Sequence, residues 1–356
     1  MHTHFQVKTS AQNHPPANAT TQLLFLLCSL LFLTDCNDDF ACYAEIGPFP
    51  PENFSITLNG SIDTNEMVQN FRMVDAKNGY AVDDGELYKT TDGGVSWTTR
   101  PVPFTGASEA YAFTDAATGW LIRRKDDTTA CLIKTEDGGV SFTEFTYPNI
   151  SNYFSDLVVA EDGDLYAVIN GYGPGGGIAR SVDGGATFDR IYTAAENFLL
   201  NLTVRGDRLY CVDDNQLRTL NRAGEPISAH PLDNVFFDGQ FFVADDDNLL
   251  YAGDKRLDQS TDGGATWTLL HDAEAQIFGG DLATDGVLLL LKTGECEQSS
   301  TVPLEVSAFA VLKETLTVGP EMLDLEVPIT WMGHYAGDGR WFMSHYRSDF
   351  YEIVRL

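Results

Sequence analysis

One short string returns four times along this chain. KTTDGGVSWTT occupies residues 89–99, KTEDGGVSFTE 134–144, RSVDGGATFDR 180–190 and QSTDGGATWTL 259–269. Four copies of D-G-G-x-[ST]-[WF] make an internal repeat, and a repeat constrains architecture more than any other feature a sequence carries. Each residue of the string has a turn-building role. Asp92 can accept hydrogen bonds from backbone N–H groups of the turn. Gly93 and Gly94 allow positive φ, Ser96 can donate back, and Trp97 can pack over the hairpin. Asp137, Asp183 and Asp262 repeat the role of Asp92, and Phe142, Phe188 and Trp267 that of Trp97. Around the first copy, Tyr80–Val82, Leu87–Tyr88 and Val95–Trp97 are short β-favouring runs separated by Asp-Gly turn signals. That reads as strand, turn, strand, turn, strand.

The four aspartates stand 45, 46 and 79 residues apart. The last interval is close to two periods, and a degenerate copy lies midway: RTLNRAGEPI, 218–227, keeps Thr219, Asn221 and Gly224. A second series of turns, each followed by apolar residues, is centred at positions 79, 119, 163, 206, 248, 286 and 339. Repeats of this length with several strands each predict an all-β, seven-bladed β-propeller over 53–356 with four-stranded antiparallel blades. The last repeat is short of one strand. NFSITLNG, 53–60, belongs to no repeat and is expected to supply that strand, closing the ring and leaving no long open sheet edge.

Ahead of the repeats, LLFLLCSLLFL at 23–33 is too short to span a membrane and fits the apolar part of an export signal. LTDCNDD, 33–39, resembles a bacterial lipoprotein box, with Asp35 where that box has Gly or Ala. The resemblance implies a signal peptide over 1–35, lipidation of Cys36 and a tether over 36–52. The expected address is the outer membrane, at the cell surface, with a periplasmic or secreted form as the alternative. Of the other cysteines, Cys131 and Cys211 sit in strand-like runs and are expected as buried small hydrophobes. Cys42 and Cys296 lie in loop-like sequence, where a disulfide and two free thiols are both open. Lys plus Arg number 22 against 52 Asp plus Glu, a net charge of -30. Such a surface repels nucleic acid and anionic membranes, keeps the chain soluble, and favours basic partners. Membrane contact is therefore expected only through the anchor.

S/T-x-D-x-G-x-T-W is the Asp box, or bacterial neuraminidase repeat, and the chain resembles its bearers over roughly 55–356. The pairing of D-A-x-x-G-[YW] (Asp75 to Tyr80, Asp115 to Trp120) with the box is most similar to photosystem II assembly factor-like propellers. The resemblance implies a structural box at the blade periphery, away from the binding face. It carries no photosynthetic role here, because the basic patch of those factors has no counterpart. Sialidase chemistry is not matched either: NFRMVDA, 70–76, has Arg72 without the F/Y-R-I-P motif. Xyloglucan-cleaving relatives use two propellers.

No cofactor or metal is expected. GYGPGGG, 171–177, lacks the Lys-Ser/Thr of a phosphate loop. His230, His271, His334 and His345 show no ligand spacing, and ADDDN, 244–248, is not a dedicated calcium loop. The reading is a monomeric, noncatalytic binding or assembly scaffold at the cell envelope, whose partner is an envelope protein or a glycan. A glycan-active enzyme using a carboxylate pair is the alternative. Strands of a blade run alternately up and down, so the first–second and third–fourth turns share one face. The longer segments fall on the other, where function on a rigid scaffold usually sits. Candidate contacts there are Phe104, Tyr147, Tyr153, Phe154 and Tyr172, with Glu109, Asp156 and Glu196 as acidic ones. The competing structural expectation is that these aromatics pack between blades.

Overall fold

The computed structural model describes residues 54–62, 71–83, 85–103, 110–126, 129–148, 153–170, 176–195, 199–232, 239–253, 255–272, 277–282, 287–293, 304–310, 317–325, 330–345 and 349–355. They fall within one compact unit, Ala44–Leu356. Cys36, Cys42 and Cys296, like the expected signal and tether, lie outside the described residues.

Among the described residues every regular element is a strand. β1 (Phe54–Ser61) comes first. Blade one is β2 (Phe71–Met73), β3 (Gly79–Asp83), β4 (Glu86–Thr90) and β5 (Thr98–Pro101). Blade two is β6 (Ala110–Phe113), β7 (Gly119–Asp126), β8 (Thr129–Thr135) and β9 (Thr143–Pro148). Blade three is β10 (Tyr153–Val159), β11 (Leu165–Asn170), β12 (Gly177–Ser181) and β13 (Asp189–Thr193). Blade four is β14 (Leu200–Arg205), β15 (Arg208–Asp213), β16 (Gln216–Asn221) and β17 (Pro226–Pro231). Blade five is β18 (Gln240–Val243), β19 (Leu249–Gly253), β20 (Arg256–Ser260) and β21 (Thr268–Asp272). Blade six is β22 (Ile277–Leu282), β23 (Val287–Thr293), β24 (Leu304–Ala310) and β25 (Thr317–Leu325). β26 (Thr330–Gly337), β27 (Arg340–His345) and β28 (Asp349–Arg355) follow.

The expectation of a seven-bladed propeller is corrected here to six blades, while the strand at 53–60 does pair with the last strand. Six sheets are blades of four consecutive strands, each strand paired with its chain neighbour. The remaining four-stranded sheet is composite, in the order β1-β28-β27-β26. β1 runs antiparallel to β28, with Phe54 opposite Arg355 and Ser61 opposite Asp349. The sequence reading counted this composite as a seventh blade. On continuous chain the blades number six, because the free edge of β28 is paired by a strand from the far end of the described chain. That pairing covers N–H and C=O groups an open edge would expose.

The first strands of successive sheets stand side by side: β6 with β10, β10 with β14, β14 with β18, β18 with β22, β22 with β26 and β26 with β2. The core lies between blades. Tyr80 and Leu87 of blade one pack with Phe113, Leu121 and Ile133 of blade two. Second strands are covered on both sides, which is why all six residues of β11, Leu-Tyr-Ala-Val-Ile-Asn, are buried. A strand covered on both faces reads as a continuous apolar run rather than an alternation. Cys131 and Cys211 are buried in these layers, and burial raises their thiols to about 11 and about 12.

The D-G-G turns close the third–fourth connections. In the first, Asp92 Oδ1 accepts from Thr90 Oγ1 at 2.8 Å and Ser96 N at 2.9 Å, while Oδ2 accepts from Ser96 Oγ at 2.6 Å. Gly94 N donates to Thr90 Oγ1 at 2.9 Å. Thr135–Asp137–Ser141, Ser181–Asp183–Thr187 and Ser260–Asp262–Thr266 repeat the pattern. These bonds hold Asp137, Asp183 and Asp262 at about 2, the Ser or Thr side chain four residues on contributing most. The aromatic residue folds back: Trp97 Nε1 and Trp267 Nε1 donate to the carbonyls of Gly94 and Gly264. Phe142 packs against the cluster between blades one and two, and Phe188 meets Tyr147 edge-on at 5.7 Å.

The second glycine also touches the preceding blade. A Cβ on Gly139, Gly185 or Gly264 would lie 2.4, 2.9 or 2.4 Å from a methyl of Leu87, Leu132 or Leu217. Each turn therefore seals a junction between blades. The first glycine ties the turn to its own blade: Gly93 N donates to Lys77 O at 2.8 Å, Gly138 N to Ala117 O and Gly263 N to Asp247 O. Those bonds put the two kinds of short turn on one face, as the strand alternation requires.

Candidate binding site

On that face the first–second turns stand beside one another. Those of blades one, two and five share one build, an Asp whose carboxylate caps its own turn. Asp75 accepts from Lys77 N at 2.7 Å and Asn78 N at 2.8 Å. Asp115 does the same with Ala117 and Thr118, and Asp245 with Asp247 and Asn248. Side chains then bridge each turn to its neighbour. Tyr80 Oη of blade one donates to Ala116 O at 2.6 Å, and Lys89 Nζ to the same carbonyl. Tyr210 Oη of blade four donates to Asp246 Oδ1 at 3.0 Å.

Blade four breaks the pattern. Its first turn is only Gly206-Asp207, between β14 and β15, whereas residues 160–164 and 244–248 make the flanking turns. The result is a cleft of about 900 Å³ over the short hairpin. Its wall is Glu161 from blade three, Thr203 to Gly206 from blade four, and Val243 with Asp245 to Asn248 from blade five. Arg205 is spent on the wall itself, donating to Val243 O at 2.8 Å. Asp246 is held by Tyr210 and by Arg208, whose guanidinium lies 3.2 Å away. Glu161 and Asp247 are exposed. The cleft therefore carries a net negative potential.

Tyr166 marks the same junction. It is the register equivalent of Tyr80, opposite Val158 as Tyr80 is opposite Arg72. It is fully buried, and among the described residues its hydroxyl has no hydrogen-bond partner. Arg180 and Arg222 lie near its ring at 5.9 and 6.0 Å. Arg222 comes from the degenerate box of blade four. It donates from Nε to Gly206 O at 3.0 Å and pairs with Asp162.

The residues singled out from the sequence separate in space. Tyr147 is half-buried, with its hydroxyl on Gly185 O, and Phe154 is 2% exposed in the cluster between blades two and three. Both pack between blades. Tyr153 opens β10. Asp156 stays partly open on β10; burial raises its carboxyl, against the pull of the Arg72 charge, and Leu157 N donates to it at 2.8 Å. Arg72 on β2, itself partly exposed, is the charge that acts on both Asp156 and Tyr111 of β6. Phe104, Glu109, Tyr172 and Glu196 lie outside the described residues. Among the described residues no group of three or more His, Cys, Asp or Glu is arranged to hold a metal.

Sequence reasoning missed Tyr166 and the cleft residues Glu161 and Asp247. One signal was available: only Gly206-Asp207 separates the strand-like runs LTVR, 202–205, and RLYCV, 208–212, whereas TDAAT, 114–118, separates those of blade two. Its meaning depends on the flanking turns, which are distant in sequence.

No family model and no curated protein matches the chain. Solved structures do. A structure of YCF48 bound to D1 peptide is similar at TM-score 0.64 and 14% identity, covering 86% of this chain and 97% of that one. Virginiamycin B lyase from Staphylococcus aureus is similar at 0.62 and 11%, covering 85% and 100%. The WD40 β-propeller domain of Doa1 is similar at 0.60 and 12%, covering 85% and 97%. At such identities the likeness concerns the fold: this chain has the β-propeller architecture.

Proposed function

We propose that the protein is a noncatalytic binding scaffold of the cell envelope that holds a segment of a partner protein. One observation carries the reading. A face otherwise knitted together by side-chain bridges leaves an open acidic cleft of about 900 Å³, a volume suited to holding a ligand. YCF48, solved with a peptide, and the Doa1 domain offer precedents of the same architecture. The D-G-G turns serve as architecture in this reading, since both carboxylate oxygens of Asp92 are committed within the turn. The long-segment face supplies a second contact through Phe104, Glu109, Tyr153, Tyr172 and Glu196. LTDCNDD supports the envelope address, with the lipid on Cys36.

Capture from envelope extracts, followed by a binding isotherm with the purified partner, tests the function. A saturable isotherm supports it. Release of reducing sugar from a panel of glycans, abolished by carboxylate substitutions, overturns it. The address is tested by Cys36→Ser, which should move the protein out of the membrane fraction; continued membrane fractionation refutes lipidation there.

A further inference from the structure

The first strands of the sheets stand side by side around the ring, so their inner edges surround its axis. Three polar side chains meet there: Arg72 on β2, Tyr111 on β6 and Asp156 on β10. All three are partly exposed, while their strand neighbours Phe71, Ala112 and Leu157 are buried. Register sets them at similar heights. Arg72 pairs with Tyr80 and Ala112 with Trp120, the residues that follow equivalent turns, so Tyr111 stands one residue from the level of Arg72. Val158 pairs with Tyr166 at that same level, so Asp156 stands two residues from it. At about 3.3 Å per residue, the three lie within about 7 Å of one another along the strands. A β-bulge between Phe154 and Asp156 breaks the pairing of β10, and bulges re-aim the side chains beside them.

The groups also sense one another. Burial, the larger influence, raises the Asp156 carboxyl and the Tyr111 phenol, and the Arg72 charge pulls both back. Groups that stay partly exposed yet are so strongly desolvated face an enclosed hollow rather than open water. Among the described residues, no hydrogen bond or ion pair holds the Arg72 guanidinium or the Tyr111 hydroxyl. Asp156 accepts from Leu157 N at 2.8 Å and forms no ion pair with Arg72. Two opposite charges thus face one hollow, near enough to act on each other and too far apart to pair. Unpaired charges in such surroundings are costly, which points to a complementary group between them.

We propose that the axial hollow binds a small zwitterion, a molecule with a carboxylate at one end and a primary ammonium at the other, such as a free amino acid. Its carboxylate lies on the Arg72 guanidinium and accepts the Tyr111 O–H, and its ammonium donates to Asp156. Burial keeps the Tyr111 phenol protonated at neutral pH, so it serves as a donor. A simple anion would leave Asp156 facing a like charge, and a simple cation would do the same to Arg72. A ligand with both ends satisfies the pair. None of the three residues lines the acidic cleft, so the two sites are separate. The inference goes beyond the protein-binding reading and stands without it.

Isothermal titration calorimetry on the purified full chain at pH 7 tests it, with glycine, β-alanine and γ-aminobutyrate as probes and butyrate and butylammonium as single-ended controls. At least one of the amino acids should bind saturably, and at least about tenfold more tightly than either control. Arg72→Gln and Asp156→Asn should each weaken that binding at least about tenfold, and Tyr111→Phe severalfold. Asp156→Asn and Tyr111→Phe preserve shape and should not lower Tm, so they carry the test even if Arg72→Gln folds poorly. Glu161→Gln, in the acidic cleft, should leave the affinity unchanged. The proposal is overturned if none of the amino acids binds, if butyrate or butylammonium binds as tightly, or if affinity survives Asp156→Asn or Tyr111→Phe. Failure to capture a protein partner would refute the protein-binding reading and leave this result untouched.

Discussion

Replacing Gly264 by Ala asks why the repeated turn needs two glycines rather than one. Gly263 and Gly264 have φ of 70° and 93°. An L-residue in left-handed conformations costs about 1–2 kcal/mol. At Gly263 the nearest atom to a new Cβ is Asp246 O at 3.3 Å, so the conformational cost should dominate. At Gly264 the new Cβ would lie 2.4 Å from Leu217 Cδ2, inside a buried junction. Relieving such an overlap costs about 1–3 kcal/mol more. Gly263→Ala is therefore expected to lower stability by about 1–2 kcal/mol and Gly264→Ala by about 2–5 kcal/mol. Urea unfolding followed by Trp fluorescence measures both. The decisive arm is a double-mutant cycle. Leu217→Ala alone should cost about 2–5 kcal/mol, and in that background Gly264→Ala should fall back to about 1–2 kcal/mol. Equal costs at the two glycines, or a Gly264→Ala penalty indifferent to Leu217, would refute the claim that the turn seals the blade junction.

Three further outcomes follow from the geometry. Asp213, 1% exposed, accepts from Tyr192 Oη at 2.6 Å and Ala195 N at 2.9 Å beside Arg218, so Asp213→Ala should cost about 3–5 kcal/mol by denaturant unfolding, and Asp213→Asn distinctly less. Asp183 is held at about 2, below its unfolded value, so its stabilisation is complete above about pH 4 and lost as pH falls through about 2; the Tm gap between wild type and Asp183→Asn should close over that window. Asp156 is shifted the other way by burial, so its charge costs stability above its folded value; Asp156→Asn should raise Tm at pH 7 and not below pH 4, and a lower Tm at pH 7 refutes the shift.

Much of this was legible in the residues because the forces involved are local. The D-G-G turn is made by bonds spanning two to four positions, Thr90 to Asp92 and Asp92 to Ser96, so any copy of the string carries its own partners. Strand rhythm and turn spacing likewise report contacts between chain neighbours, and they located strands and faces. What happens between blades is another matter. Tyr80 reaches Ala116 across 36 positions, and Gly264 rests on Leu217. Tyr147 and Phe154 look like surface aromatics in a loop-rich stretch, yet against the neighbouring blade Phe154 is buried and Tyr147 half-buried. The composite sheet depends on β1 meeting β28, a pairing that the short last repeat and the unassigned strand at 53–60 pointed to, whereas the number of blades is decided only by the sheets themselves. The cleft depends on a two-residue hairpin standing between two longer turns. A sequence determines such features only through the ring that sets those turns side by side. Hydrogen bonds within a turn are encoded where they form, whereas burial, orphaned hydroxyls and cavities arise only once distant segments are packed together.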